Sequence, residues 1–270
     1  MESSKRSEII AKRARMRTLE ISHRSKTSHI GSSLSIIDIL AVLYSEIINT
    51  ADIKNRNTNR DRVILSKGHA ALGLYSIMEQ VELLKSKDLD NFCSPGSNLL
   101  GHVTHTNNNF VELSTGSLGH GLPFGAGLAF NPNYTSTNNF NVYVIMSDGE
   151  CNEGTTWETA LIANHLKLKN LKVIVDRNYL QSLGSTETTL TLEPLKKKWK
   201  SFGWQVNTID GHSHTDIYKA LRKKTNRPTC IIANTIKGKG ISFMENNNMW
   251  HYRPPNNHEF QLGLNELNGD

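Results

Sequence analysis

With 31 Lys and Arg against 25 Asp and Glu, the 270-residue chain carries a formal charge of +6, and 37% of its residues are hydrophobic. That apolar share is close to the globular norm and argues against a disordered chain, while no apolar run approaches the roughly twenty residues that a membrane-crossing helix needs. The basic excess suits anionic ligands, but no basic stripe is interleaved with aromatics, so neither nucleic acid nor membrane is expected as a partner.

The basic start, Lys5 to Arg17, is interrupted by Glu2 and Glu8 and is followed by no hydrophobic signal core. With Ile9, Ile10 and Leu19 it reads as an amphipathic helix over Ser7 to Ser22. Further helices are expected at Ile36 to Ile48, Ala70 to Leu83, Leu122 to Phe130, Thr155 to Lys167 and Thr215 to Lys224. Between them fall strand-like runs at Val63 to Leu65, Val142 to Met146, Val173 to Val175, Val206 to Ile209 and Ile231 to Thr235. This alternation predicts an α/β fold, a three-layer doubly wound and mostly parallel sheet, forming one domain over residues 1–250. Asn-rich patches at 55–59, 107–109, 131–139 and 246–248 have the composition of loops. Residues 251–270, with Pro254 and Pro255 and few apolar side chains, read as an irregular tail.

Cys93, Cys151 and Cys230 are odd in number, widely spaced and without a CxxC pair, so neither a disulfide framework nor a zinc site is expected and the cytoplasm is the default compartment. Cys151 reads as a small buried side chain rather than a nucleophile. His102 and His105 lack the two further ligands that a zinc pair would need.

The stretch SDGECNEGTTWETALIANHLKLKNLKVIVDRNYLQ, Ser147 to Gln181, carries the most chemistry. Asp148 and Asn178 each follow an apolar run, at the carboxyl ends of expected parallel strands, which is where open α/β sheets bind ligands. A carboxylate and an amide offer hard oxygen ligands, and Mg2+ takes few protein oxygens and fills its remaining positions with water and phosphate. The pair therefore reads as an anchor for a phosphorylated cofactor. In the connection, Gly149 allows close backbone approach, Thr155 and Glu158 have capping-box spacing, and Trp157, Leu161, Ile162 and Leu168 form an expected buried face.

This segment resembles the thiamine diphosphate motif, GDG followed after a spacer by NN, and ECNEG, WE and DRNYLQ are close to the transketolase wording. Ser147 stands for the first Gly, where a side chain must fit, and Arg177 for the first Asn. The glycine-rich loop STGSLGHGLPFGAG, Ser114 to Gly127, is similar to the transketolase TTGPLGQG loop, with His120 in place of Gln. Four histidines sit in matching contexts: His29 in KTSHIGSSLS, His69 in LSKGHA, His102 in LLGHV and His251 in MENNNMWHY.

The resemblance implies a thiamine diphosphate-binding fold with Mg2+ on Asp148, Asn178 and the carbonyl of Leu180, where Ca2+ or Mn2+ could substitute. It implies cofactor contacts from His69, Gly116, Ser117, Leu118, Asp148, Gly149, Glu150, Asn178 and His251, with His29, His69, His102 and His251 as catalytic residues. Neutral and cationic imidazoles near the reacting carbons suit alkoxide formation and proton removal. Lys237 and Lys239 read as solvated lysines and stay outside the expected site.

The implied reaction is transfer of a two-carbon ketol unit from a ketose phosphate to an aldose phosphate. The resemblance runs from about Arg13 to Trp250 and covers only the diphosphate-binding part of a full transketolase. The glutamate that activates the cofactor lies in a pyrimidine-binding domain of that family. The chain is therefore expected to be the amino-terminal subunit of a split transketolase, with a separately encoded carboxy-terminal partner, in an α2β2 heterotetramer. Three other readings stay open: a decarboxylating or deoxyxylulose phosphate-type thiamine enzyme, a catalytically silent partner-binding relative, and a generic nucleotide-binding domain. The last needs a GxxxxGK loop, which is not found.

Overall fold

A computed structural model of the chain describes residues 2–135 and 140–269. Five strands, β1 (Arg62–Leu65), β2 (Val142–Ser147), β3 (Leu171–Arg177), β4 (Gln205–Asp210) and β5 (Thr229–Asn234), form one sheet in the order β1-β2-β3-β5-β4. Every neighbouring pair is parallel, with Ile64 opposite Val144, Val144 opposite Val173 and Val173 opposite Cys230. Each strand matches an expected run because β-branched residues suit a pleat buried on both faces.

Alternation along the strands separates two cores. Leu65, Tyr143, Ile145, Ile174 and Ile231 pack into one, and Ile64, Val144, Val173, Val175 and Ile232 into the other. The first lies under helices α1 (Glu2–Ser25), α2 (Ile30–Ser35), α3 (Ile37–Val42), α4 (Thr50–Lys54) and α5 (Ala71–Gln80). After α6 (Ser86–Asp90), helices α7 (Gly121–Thr135) and α8 (Gly154–His165) cover the second. Beyond α9 (Thr186–Thr189), α10 (Leu195–Ser201) joins the second layer, and α11 (His214–Arg222) and α12 (Asn257–Asn268) join the first. The three-layer arrangement is as expected.

Several details differ from expectation. The helix expected over 36–48 starts at Ile37 but ends in a π turn over Leu43–Ile47; Ile36 separates it from α2, and there the Ser35 hydroxyl bonds Ser32 O and Asp176. The capping box at Thr155 and Glu158 does not form: α8 starts at Gly154 with Glu153 as its N-cap, and Thr155 Oγ1 donates instead to Gly119 O at 2.8 Å. Its buried strip is Thr156, Thr159, Ala160 and Ala163, small enough for close packing, while Leu161 and Ile162 point outward at 63% and 53% exposure. Of the Asn-rich patch at 131–139, residues 131–135 continue α7, and 136–139 lie outside the described residues.

The expectation of an irregular tail over 251–270 is incorrect, because α12 occupies 257–268. Asn256 and Glu259 form a reciprocal capping box, His23 of α1 stacks on Phe260 at 4.6 Å, and Leu267 is buried. Both prolines precede the N-cap, so they set the helix's start rather than forbid it. Among the described residues no helix is long and apolar enough to cross a membrane.

Asp38 on α3 ties this layer together. Its buried carboxylate pairs with Arg15 of α1, with His212 Nδ1 at 2.7 Å and with His214 Nε2 at 3.0 Å. Burial alone would raise its pKa, but Arg15 and the two imidazoles hold it far below the usual carboxylate range. A depressed carboxylate contributes stability above its unfolded value, near pH 4, and loses it as pH falls further. Asp38→Asn should therefore cost about 3–5 kcal/mol at neutral pH. In thermal denaturation the deficit should shrink below about pH 4; a deficit independent of pH would refute the assignment.

Candidate functional site

The carboxyl ends of β1, β2, β3 and β5 open on one pocket of about 220 Å³. From β2 comes Asp148, only 1% exposed, which accepts from Gly149 N–H and Tyr179 N–H, each at 2.8 Å, and from Arg177 Nη1 at 3.2 Å. Burial, reinforced by the nearby Asp176 carboxylate, pushes Asp148 up to about 6 against the pull of Arg177. Such an under-compensated carboxylate is suited to a cation. A Cβ at Gly149 would lie 3.0 Å from Gln181 side-chain carbons, so glycine lets that side chain close on the turn.

From β3 comes Asn178. Its Nδ2 donates to Asp176 Oδ2 at 2.9 Å, which leaves Oδ1 as the oxygen on offer; Oδ1 also accepts from Leu180 N–H at 3.1 Å. Tyr179 adopts φ 65°, and this tight turn brings the Leu180 carbonyl to the pocket wall. Asp176 itself is buried against Lys67, Ser35 and Thr235. Burial alone would raise it, yet Lys67 and these hydrogen bonds keep it below its usual value.

The four histidines converge. The His29 ring centroid lies 5.5 Å from that of His69, 5.3 Å from His102 and 4.9 Å from His251. His29 takes a left-handed conformation, φ 71°, at the start of α2, and its N–H bonds His251 O at 3.0 Å. Burial, with neighbouring His102 and Lys237, lowers His29 to about 4; burial and Lys237 lower His251 to about 3; burial also holds His69 well below its usual value. These three are therefore neutral at neutral pH, rather than a mixture of neutral and cationic rings.

Gly116 and Leu118 also line the pocket, whereas Ser117 between them is exposed to solvent. Glu150 differs from expectation. Its carboxylate is fully buried and accepts from Ser66 Oγ, from Gly119 N–H at 2.9 Å and from Ser147 N–H at 3.3 Å, so it braces the glycine-rich loop from behind. Ser147 is accommodated where the motif has glycine, because its Oγ accepts from Glu150 N–H at 3.2 Å. His120 is exposed, with Nδ1 near Ser117 O and Leu118 O. Cys151 is buried with its thiol pKa raised by burial, and all three cysteines are free.

Sequence reasoning missed two lysines. Lys67 lines the pocket while pairing with Asp176, and Lys237, 1% exposed, directs Nζ to His251 Nδ1 at 3.1 Å and to Leu180 O at 3.5 Å. Burial, then Lys67, lowers Lys237 to about 8. The signals were present, Lys67 beside His69 and Lys237 just past β5, but surface lysine is the commoner case.

Among the described residues no three His, Cys, Asp or Glu side chains form a metal-holding group. The oxygens of Asp148, Asn178 and Leu180 are instead a partial set for a hard cation, which leaves room for phosphate and water. Lys237, a cation already directed at Leu180 O, is a natural stand-in for that charge. The residues fit Mg2+ held jointly with a diphosphate.

Residues 6–266 match the family described as transketolase, thiamine diphosphate binding domain. The chain belongs to this family. It is 36% identical over 263 residues to one subunit of the apulose-4-phosphate transketolase of Phocaeicola vulgatus, covering 96% of this chain and 93% of that one. A 6-deoxy-6-sulfo-D-fructose transketolase subunit of a Clostridium species is 36% identical over 231 residues, 84% of each chain. The transketolase structure from Leishmania mexicana superposes with a TM-score of 0.89 at 26% identity, over 97% of this chain but 41% of that one. The chain is thus a transferase component of the transketolase type, and it spans about two fifths of the length of that solved structure.

Proposed function

We propose that this chain is the diphosphate-binding subunit of a split transketolase, which holds Mg2+ through Asp148, Asn178 and the Leu180 carbonyl. With a separately encoded pyrimidine-domain subunit, in an α2β2 assembly in the cytoplasm, it moves a two-carbon ketol unit from a ketose phosphate to an aldose acceptor. The observation that carries this reading is the convergence of four histidines over one carboxylate, one amide and one carbonyl. Support for a partner comes from near full-length similarity to chains named as transketolase subunits. The outward-facing Leu161 and Ile162 on α8 add apolar surface that a partner can cover.

Thiamine diphosphate, when bound, supplies the carbon nucleophile and the electron sink for carbon–carbon bond cleavage. Lys67 and Lys237 line the pocket and would supply positive charge to a diphosphate held there. The backbone of Gly116 to Leu118 lies along the same pocket. Lys237 donates to His251 Nδ1, so the His251 proton sits on Nε2, where it can donate a hydrogen bond to a substrate oxygen. His29, its Nδ1 engaged by the Ser28 hydroxyl at 3.0 Å, has Nε2 left to exchange a proton with the donor sugar. Buried and neutral, His29 accepts a proton without first losing one.

The purified chain should transfer no ketol unit by itself and should become active once the companion subunit is added. Robust transfer from a ketose phosphate by the isolated chain would overturn the split assignment. Carbon dioxide release from pyruvate by the complex would instead indicate the decarboxylating class, and failure of the complex to bind thiamine diphosphate and Mg2+ in calorimetry would indicate a silent relative.

A further inference from the structure

Arg177 stands where the thiamine motif has its first Asn, and the cofactor chemistry does not account for it. The side chain is 1% exposed at the end of β3. Its Nη1 donates to Asp148 Oδ2 at 3.2 Å and to Thr186 Oγ1 at 2.7 Å; its Nη2 donates to Glu187 Oε1 at 2.9 Å and to Glu193 Oε1 at 3.0 Å. The guanidinium lies 4.0 Å from the Tyr179 ring centroid, and Nε is buried without a partner. One cation thus joins a cation-binding carboxylate to two carboxylates of the 182–193 segment.

The other ties of that segment are at its start, where Asn248 Nδ2 and Tyr252 Oη donate to Ser182 O at 2.7 and 2.6 Å and Thr186 N–H donates to Tyr179 O at 2.9 Å, and at its exposed middle, where Asn152 Nδ2 donates to Leu190 O at 3.2 Å. Leu183 and Leu190 are 83% and 59% exposed, and the Glu187 and Glu193 side chains are 36% and 51% exposed, leaving Thr186 and Leu192 as its buried anchors. With two buried side chains and mostly exposed bonds beyond Ser182, its 187–193 part opens at lower cost than the sheet it borders. Its position decides how the Arg177 charge is divided. With the segment in place, three carboxylates share one guanidinium, and Asp148 keeps negative charge for a divalent cation. With the segment displaced, Asp148 is the remaining partner of a buried cation, which then competes with the metal for the same oxygen.

We propose that Arg177 is a positioning residue that couples closure of the 182–193 segment to the cation affinity of Asp148. The proposal rests on the reading of Asp148 as a cation ligand. It makes the segment's acidic residues part of the metal site without touching the metal. Cation binding at Asp148 and ordering of the segment then favour each other by the same factor.

The test has two parts, both on the full chain. Hydrogen exchange of the 182–193 amides, measured without metal or cofactor, should be about tenfold slower in Asp148→Asn than in the unmutated chain, because Asp148 no longer competes with the segment for Arg177. It should be no slower in the Arg177→Met, Asp148→Asn double variant than in Arg177→Met alone, because the link is already cut. The second part is calorimetric titration of Mg2+ with thiamine diphosphate. The surface pair Glu187→Gln, Glu193→Gln should weaken binding about tenfold, and adding Arg177→Met should remove that difference. Unchanged or faster exchange in Asp148→Asn, or additive effects of the two substitutions, would overturn the coupling. If the unmutated chain binds no cofactor in any form, the reading of the site fails, while the exchange comparison still decides the coupling.

Discussion

Asp148→Ala should abolish cofactor loading while leaving the fold intact. The carboxylate is the one formal negative charge among the three oxygens offered to the cation, and it is 1% exposed, so water cannot replace it without entering the site. Removing one partner of a buried, hydrogen-bonded charge pair weakens binding by about 2–5 kcal/mol, on the order of 10² to 10³ in affinity. Two further losses follow from the geometry. Tyr179 N–H loses its acceptor, which loosens the turn that presents Leu180, and Arg177 loses one of its three carboxylates. Stability should fall less than affinity, because burial holds the Asp148 carboxyl up near 6, so the metal-free carboxylate is itself a strained group. Calorimetric titration of thiamine diphosphate with Mg2+, beside thermal denaturation of the metal-free protein, separates the effects. Binding within a few-fold of the unmutated chain would remove Asp148 from the cation site.

Lys67→Met should be the most damaging single change to the fold near the pocket. Lys67 and Asp176 are both fully buried and paired, and Asp176 also receives Ser35, Thr235 and Asn178 Nδ2. Three neutral donors can orient the carboxylate but cannot neutralise it. Stranding one member of a buried pair costs about 3–5 kcal/mol. Function should suffer beyond stability, since Asp176 holds the Asn178 Nδ2 and so sets Oδ1 as the oxygen on offer. Adding Asp176→Asn to Lys67→Met removes the unpaired charge and should recover part of the melting temperature but not the cofactor affinity. A Lys67→Met protein that melts within a degree or two of the unmutated chain would show that the pair is not a structural support.

The sheet was legible because all its strands but the half-exposed edge strand β4 carry apolar runs, and buried parallel strands leave that signature whatever their neighbours. The helices were legible in place but not in face. On α8, Leu161 and Ile162 were expected inside, yet Ala160 and Ala163 are there because packing against the sheet selects for close approach over size. Helix α12 was missed because two prolines look like a break until they are seen to stand just outside its cap. Asp148, Asn178 and Leu180 were legible because strand end, residue type and motif coincided at each. Glu150 belongs to the same motif, but whether its carboxylate turns toward the pocket or toward Gly119 depends on a loop thirty residues away in sequence.

By itself, the sequence determined the fold class, the end of the sheet that carries the site and the family. The first two follow from local pattern, which burial on both faces imposes on a parallel sheet, and the family follows from the motif wording of Ser147 to Gln181 and Ser114 to Gly127. Only the tertiary structure decided that His29, His69, His102 and His251 share one pocket, that Lys67 and Lys237 are buried beside them, and that Arg177 joins a cation ligand to the 182–193 segment. The reason is physical: the charge state and direction of a buried polar side chain are fixed by partners distant in the chain, and no periodicity records them.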